Sequence, residues 1–250
     1  VRDWCQEPSN FRNQGDLDTF LREQNVPGIY GIDTRALTKI VRESGVMNGI
    51  ILSELPEDKS KVLWDIKQYR ITEAVANTSR SEREVHLHTN ETEYPKKIVL
   101  LDLGAKKTIC RQLQMRGCDV TIVPYNTSGE EIIAMKPDGI MLSNGPGDPA
   151  ENVEVIKEIR KLLYCGIPMF GICLGHQLTA LAAGGRTEKM KYGHRGTNQP
   201  AKRISDGRVF ITSQNHGYCI VNESLPEIAK VSFVNVNDGT CEGIDYEGAP

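Results

Sequence analysis

The apolar positions of this chain change their period along its length, and the changes divide it. Over the first seventy or so residues they recur at helical spacing. Leu17, Phe20 and Leu21 share one face of a predicted helix over 16–24. Leu37, Ile40 and Val41 line a second over 34–44, with Asp33 placed to cap it and Gly45 to stop it. A third helix is predicted over 59–69, and 47–52 reads as a strand. Residues 26–32 form a turn-rich link. Residues 71–94 are polar, carry charge over 79–84 and lack apolar periodicity, so they read as a linker. A first region over 1–93 and a second over 94–250 follow from this.

From residue 95 onward, apolar runs alternate with helical patterns. The run 96–103 is continuously apolar and flanked by charge, the mark of a parallel strand covered on both faces. A helix over 106–116 stops at Gly117. Strand 120–124, helix 129–135, strand 139–142 and helix 153–163 come next, and an apolar run then leads to Gly171. Strands alternating with helices predict an α/β fold, a mostly parallel sheet flanked by helices. Ligands of such sheets bind beyond the carboxyl ends of the strands. After Arg186 the pattern turns to short strands at 186–192, 201–204, 209–212 and 218–221. The polar run Gln214-Asn215-His216-Gly217-Tyr218 separates the last two. Mixed or antiparallel strands added at the sheet edge are expected there.

Composition narrows the class. With 250 residues, 39% hydrophobic and 25% charged, the chain suits one large or two smaller globular domains. Its net charge of −3 argues against nucleic acid or an anionic membrane as partner, and no apolar run reaches spanning length. Cysteines stand at 5, 110, 118, 165, 173, 219 and 241, none in a Cys-x-x-Cys pair. That odd set argues against a zinc or disulfide framework and for reduced thiols in the cytoplasm. His86 and His88 lie in the expected linker, where a solvated connection outweighs a metal pair. Val1 is not an initiator Met, and Glu247-Gly248-Ala249-Pro250 reads as a hairpin turn before a strand. A piece of a longer protein is therefore expected.

The candidate chemistry centres on Gly171-Ile172-Cys173-Leu174-Gly175-His176-Gln177. An apolar strand reaches Gly171 and a helix continues through Ala183. Gly-x-Cys-x-Gly in a strand–turn–helix setting is the thiol counterpart of the nucleophile elbow. The glycines relieve a turn too sharp for side chains. A helix start favours thiolate over thiol at Cys173. The competing reading, a small buried residue at a strand-to-helix junction, does not account for both glycines. Upstream, Gly145-Pro146-Gly147 follows a strand and can offer backbone N–H groups to an oxyanion. A thiol nucleophile also needs a base. His176, His194 and His216 are the candidates, and none has a carboxylate at a convincing spacing. The residues alone give a nucleophile without a clear base.

Together with Ser143-Asn144-Gly145-Pro146-Gly147-Asp148-Pro149, the elbow resembles a class I, triad-type glutamine amidotransferase domain. GMP synthetase and anthranilate synthase share that domain. A narrower resemblance, to the small glutamine-hydrolysing subunit of carbamoyl-phosphate synthetase, covers essentially the whole chain. It rests on Gly28-Ile29-Tyr30-Gly31-Ile32-Asp33-Thr34-Arg35-Ala36-Leu37-Thr38, Arg195-Gly196-Thr197-Asn198-Gln199-Pro200 and Ser213-Gln214-Asn215-His216-Gly217-Tyr218. The resemblance implies that Cys173 attacks the side-chain amide of L-glutamine to form a γ-glutamyl thioester, releasing ammonia. Backbone N–H groups at Gly147 and Leu174 would hold the oxyanion. Gly145, Gln177, Asn215, Gly217 and Tyr218 match glutamine-holding positions, with Tyr218 where Phe is frequent. The family's base and orienting acid lie in a downstream His-Pro-Glu motif that these 250 residues do not contain, so little turnover is expected of them alone. The large subunit of the synthetase is the implied partner. ATP, Mg²⁺ and bicarbonate belong to it, and neither cofactor nor metal to this chain, which has no Gly-x-x-x-x-Gly-Lys-[Ser/Thr] phosphate loop. Two other readings are an amidotransferase of another pathway and a non-catalytic module of the same fold. The N-terminal 93 residues oppose the first and the retained Cys173 the second.

Overall fold

Three aspartates start the helices of the first part of the chain. In a computed structural model describing residues 1–248, the chain divides into compact units at 1–70 and from 71 onward. The hairpin expected over 247–250 extends outside the described residues. The first unit holds α1 (Leu17–Glu23), α2 (Thr34–Ser44) and α3 (Lys59–Gln68). The Asp16 side chain accepts from Thr19 N–H, Asp33 from Arg35 and Ala36, and Asp58 from Ser60 and Lys61. Each satisfies N–H groups that a helix start leaves without partners. Gly45, at φ 87°, ends α2 where a side chain would be strained. The strand expected over 47–52 does not form. A strand needs a neighbour to bond to. Here the Asn48 side chain is bonded instead to the carbonyls of Ile66 and Tyr69 at the end of α3.

The second unit begins where a linker was expected. Residues 71–94 carry β1 (Glu84–His86), which pairs antiparallel with β3 (Cys118–Pro124). Val75, in the same stretch, is 2% exposed inside the main core. The units thus divide at Arg70, not at residue 93. Length misleads here: a three-residue strand and one buried valine are too little for apolar periodicity to register. His86 lies 3.0 Å from Glu84, and His88 lies 2.8 Å from Asp119.

Strands β2 (Lys96–Asp102), β4 (Gly139–Leu142) and β5 (Met169–Gly171) complete a sheet of order β1-β3-β2-β4-β5. All its pairings except β1–β3 are parallel. Helices α4 (Lys107–Gln114), α5 (Gly129–Ala134), α6 (Val153–Leu163) and α7 (Leu174–Ala183) connect or follow the strands. Successive side chains of a strand point to opposite faces, and β2 shows it. Val99 and Leu101 pack into one core with Ile159, Leu162 and Leu178. Leu100 packs on the other face with Cys110, Val120 and Ile122. Each fully buried leucine stabilises the fold by roughly 1.5–3 kcal/mol.

The remaining chain forms β6 (Thr187–Arg203), β7 (Val209–Ile220), β8 (Ala229–Asn235) and β9 (Cys241–Tyr246). They make an antiparallel sheet of their own, ordered β7-β6-β8-β9, rather than strands added to the first sheet's edge. The antiparallel edge strand of the first sheet is β1. The polar run 214–218 does not interrupt β7 but lies within it, paired with β6 through His194 opposite His216 and Arg195 opposite Asn215. Ala180, Ile220 and Cys241 pack together and join α7 to this second sheet.

One buried carboxylate ties β1 to the strand ends that carry the site. Asp102, 1% exposed, accepts from the N–H groups of Arg80, Gly104 and Ala105 and from the Arg80 guanidinium. Burial pushes its carboxyl up, but these donors outweigh burial and hold it below its ordinary value. Its contribution is complete above the unfolded pKa, about 3.9, and is lost as pH falls through the lower folded value. Replacing Arg80 with Ala should destabilise this unit by about 1–3 kcal/mol at neutral pH, read by amide hydrogen exchange over β1 and β2. The gap to wild type should narrow as pH falls below about 4. A gap independent of pH would mean that Arg80 acts through packing alone.

Candidate active site

Strand β5 ends at Gly171, and two residues later the backbone turns through Cys173 at φ 52° and ψ −106°. That conformation costs a non-glycine residue on the order of 1–3 kcal/mol and persists only where its surroundings enforce it. Ile172 N–H donates to the Leu142 carbonyl at 3.0 Å, and Gly175 N–H to the Ser143 carbonyl at 3.1 Å. A Cβ on Gly171 would sit 2.6 Å from the Gly175 carbonyl carbon, and one on Gly175 would sit 2.5 Å from the Leu142 oxygen. Both glycines are therefore required by backbone contact. Cys173 is the N-cap of α7, at the carboxyl end of β5 as predicted.

The loop after β4 is sewn to the loop after β2. Ser143 is fully buried, and its hydroxyl accepts from Leu103 N–H and donates to the Asn144 carbonyl. The Asn144 side chain accepts from Lys106 N–H and donates to the Gly104 carbonyl. A Cβ on Gly145 would lie 2.2 Å from the Leu103 oxygen and 2.6 Å from Leu174 Cδ2, so this loop rests against the elbow itself. Gly147 holds φ 90°.

A cavity of about 1280 Å³ is lined by Gly145, Cys173, His176, Gln177, Asn215 and Tyr218, among others. These six positions, all singled out from sequence, thus meet around one space. Gly147, Leu174 and Gly217 do not line it; the Leu174 side chain is buried in the main core. What these three can offer is backbone. The Gln177 amide donates to the Tyr218 carbonyl at 2.7 Å, holding β7 against α7. Asn215 accepts from the Arg195 guanidinium at 2.8 Å. Tyr218 ionises less readily than usual, because of burial and then of Asp148.

The thiol departs from expectation. Burial pushes the Cys173 pKa above its ordinary value, while the Leu174 N–H and Lys106 pull the other way and Glu242 adds to the rise. Desolvation of the thiolate is the largest of these effects. No candidate base is hydrogen-bonded to Cys173 among the described residues. Burial, with His216 nearby, pushes His176 down to about 4, and its Nε2 is buried without a partner. His194 and His216 lie 3.2 Å apart, with Asp238 on the far side of His194. Sequence reasoning missed Asp102, Asn235, Asp238 and Glu242, since only the folding of separate strands gives them partners.

The fold and the elbow are those of a class I glutamine amidotransferase domain, and the model of that family, "Glutamine amidotransferase class-I", matches residues 99–250. Residues 1–51 match "Carbamoyl-phosphate synthase small chain, CPSase domain". The carbamoyl phosphate synthase small chain of Lactococcus lactis subsp. lactis is 45% identical over 97% of this chain and 66% of its own length. The pyrimidine-specific small chain of Bacillus subtilis is 46% identical over 100% of this chain and 67% of its own. The chain belongs to the carbamoyl phosphate synthase small chain family and spans about two thirds of the length of these curated relatives. Among solved structures, a glutamine amidotransferase from Thermotoga maritima aligns with a TM-score of 0.50 at 17% identity, over 63% of this chain and 74% of its own. A Thermoplasma acidophilum protein described as part of a GMP synthase aligns at 0.55 and 24%, over 64% and 82%. At those identities the likeness speaks for the fold.

The geometry sets two expectations. Gly175→Ala should lower stability by about 1–3 kcal/mol or more and displace the Cys173 thiol, seen as slowed alkylation in the folded protein. Unchanged alkylation and stability would show that the elbow tolerates the methyl group. In the wild type, the alkylation rate of Cys173 should rise with pH through a midpoint above that of an ordinary thiol. A midpoint below it would show that the helix start outweighs burial.

Proposed function

We propose that this chain hydrolyses L-glutamine through Cys173 and delivers the ammonia to a large synthetase subunit that makes carbamoyl phosphate in the cytoplasm. The observation that carries the reading is Cys173 held at φ 52° at the head of α7, facing a cavity that Gly145, Gln177, Asn215 and Tyr218 also line. The thiol sulfur attacks the side-chain amide carbon, and the carbonyl oxygen takes up the negative charge. Backbone N–H groups of Leu174 and Gly147 are the oxyanion donors in this reading. The amine leaves as ammonia once protonated, and water then releases glutamate from the thioester.

The raised thiol pKa gives the base a defined task. The base must take the proton from a thiol that rests protonated, so attack and deprotonation are coupled. His176 is pushed down to about 4 and is a weak acceptor. The family resemblance assigns the task to the His of a His-Pro-Glu motif further along the chain. ATP, Mg²⁺ and bicarbonate are the large subunit's substrates in this reading, and the small chain supplies only the nitrogen.

In the complete two-subunit enzyme, Cys173→Ser should abolish glutamine-dependent carbamoyl phosphate synthesis. Synthesis from added ammonia should persist at near wild-type rate. Glutaminase activity surviving in the variant would remove Cys173 from the mechanism. Loss of both activities together would remove the division of labour between subunits.

A further inference from the structure

Every strand of the antiparallel sheet sends a polar side chain to a common point: His216 from β7, His194 from β6, Asn235 from β8 and Glu242 from β9. The outer nitrogens of both histidines are committed. His194 Nε2 lies 2.8 Å from Asp238 Oδ2, and His216 Nδ1 lies 2.8 Å from the Tyr218 carbonyl. A carbonyl only accepts, and so does an ionised carboxylate, so a neutral ring that satisfies its outer contact carries its proton there. The inner nitrogens, His194 Nδ1 and His216 Nε2, then present lone pairs to each other across 3.2 Å.

More acceptors converge on the same point. Glu242 Oε1 stands 3.2 Å from His194 Nδ1, and Oε2 stands 4.0 Å from His216 Nε2. Gln214 Oε1 lies 3.1 Å from His216 Nε2, its amide oriented by donation to Thr212. Against these, Asn235 Nδ2 is the inward-facing donor among the described residues. It donates to Glu242 at 3.0 Å, and its orientation is set by Asn237 N–H bonding to its oxygen. One amide N–H₂ is thus set against two imidazole nitrogens, a carboxylate and an amide oxygen, a point rich in ligand-type atoms. His194 is buried and Glu242 nearly so.

We propose that His194 Nδ1, His216 Nε2 and the Glu242 carboxylate bind one divalent transition-metal ion of the zinc type. Their ligand atoms all lie within 4.8 Å of one another. Ligands at about 2.0–2.1 Å around a tetrahedral zinc stand roughly 3.3 Å apart, close to the spacings found here. Two imidazoles with one carboxylate select zinc-like ions over magnesium or calcium, which take oxygen ligands. Metal-bound histidines characteristically donate their far N–H to a carboxylate or a backbone carbonyl, and Asp238 and Tyr218 already fill those places. The cavity that Cys173 lines also reaches His216 and Glu242, which gives the ion an entry path and a fourth position open to solvent. The proposal is independent of the glutamine reading, since it concerns a different set of side chains.

The test is metal uptake by the metal-free full-length protein, not activity. Zn²⁺ would be titrated against a chromophoric chelator, and Co²⁺ by its visible absorption. One equivalent should bind to wild type and to Cys173→Ser, with a tetrahedral cobalt spectrum. His194→Gln and Glu242→Gln should weaken binding at least tenfold. Asp238→Asn, at a partly exposed side chain, should weaken it by about 10–100-fold. No saturable uptake by wild type would overturn the proposal and leave a shared proton between His194 and Glu242 in the ion's place. So would uptake that His194→Gln, Glu242→Gln and Asp238→Asn leave unchanged, or uptake that disappears in Cys173→Ser. Should either ligand variant fail to fold by circular dichroism, Asp238→Asn decides.

Discussion

The contact between the backbone of α7 and the carbonyls at the end of β4 is what the site depends on. Gly175 approaches the Leu142 carbonyl so closely that no side chain fits between them. That approach forces the chain to turn within the three residues from Gly171, and the turn leaves Cys173 in the left-handed region. The strain is local, and the buried leucines of β2, β4 and α7 on either side sustain it. The loop over 143–147 is fixed by the same crowding, because Gly145 abuts both Leu103 and Leu174. Cys173 and the 143–147 loop are thus placed by one packing event, and neither can shift without the other.

The two sheets divide the work. The parallel sheet supplies the rigid floor and the thiol. The antiparallel sheet supplies the polar wall, and Gln177 bonds the two through the Tyr218 carbonyl. That one carbonyl also lies 2.8 Å from His216 Nδ1, so the position of Tyr218 is felt by both Gln177 and His216. Gln214, Asn215, His216 and Tyr218 all line the one cavity, which lets a single segment serve both that space and the His–His–Glu cluster.

Much of this was legible in the sequence. The helices of the first unit were marked by Asp caps and by Gly45, and the βα alternation by continuous apolar runs bounded by charge. The elbow was legible because two glycines flank a cysteine at a strand-to-helix junction, a pattern few structures require. The rest depended on distant partners. Val75 and β1 belong to the second unit only because β3 and the main core accept them, and a polar sequence gives no sign of that. Residues 47–52 look like a strand but have no neighbour to pair with. The polar run 214–218 looks like a loop, yet its alternation fits a strand whose two faces are both polar. The thiol's electrostatics were misjudged for a related reason: a helix start can be read from sequence, whereas burial cannot.

A thiol that rests protonated has a consequence for survival in an oxidising cell. Peroxide attacks thiolate, and the irreversible sulfinic and sulfonic acids lie further along that path. The usual conflict for a cysteine enzyme is that the reactive form is also the vulnerable one. With the rest-state pKa of Cys173 raised by its surroundings, the enzyme spends its idle time in the form that peroxide ignores. Burial of Cys173 then works as chemical insurance, lowering the share of thiolate open to oxidation at rest.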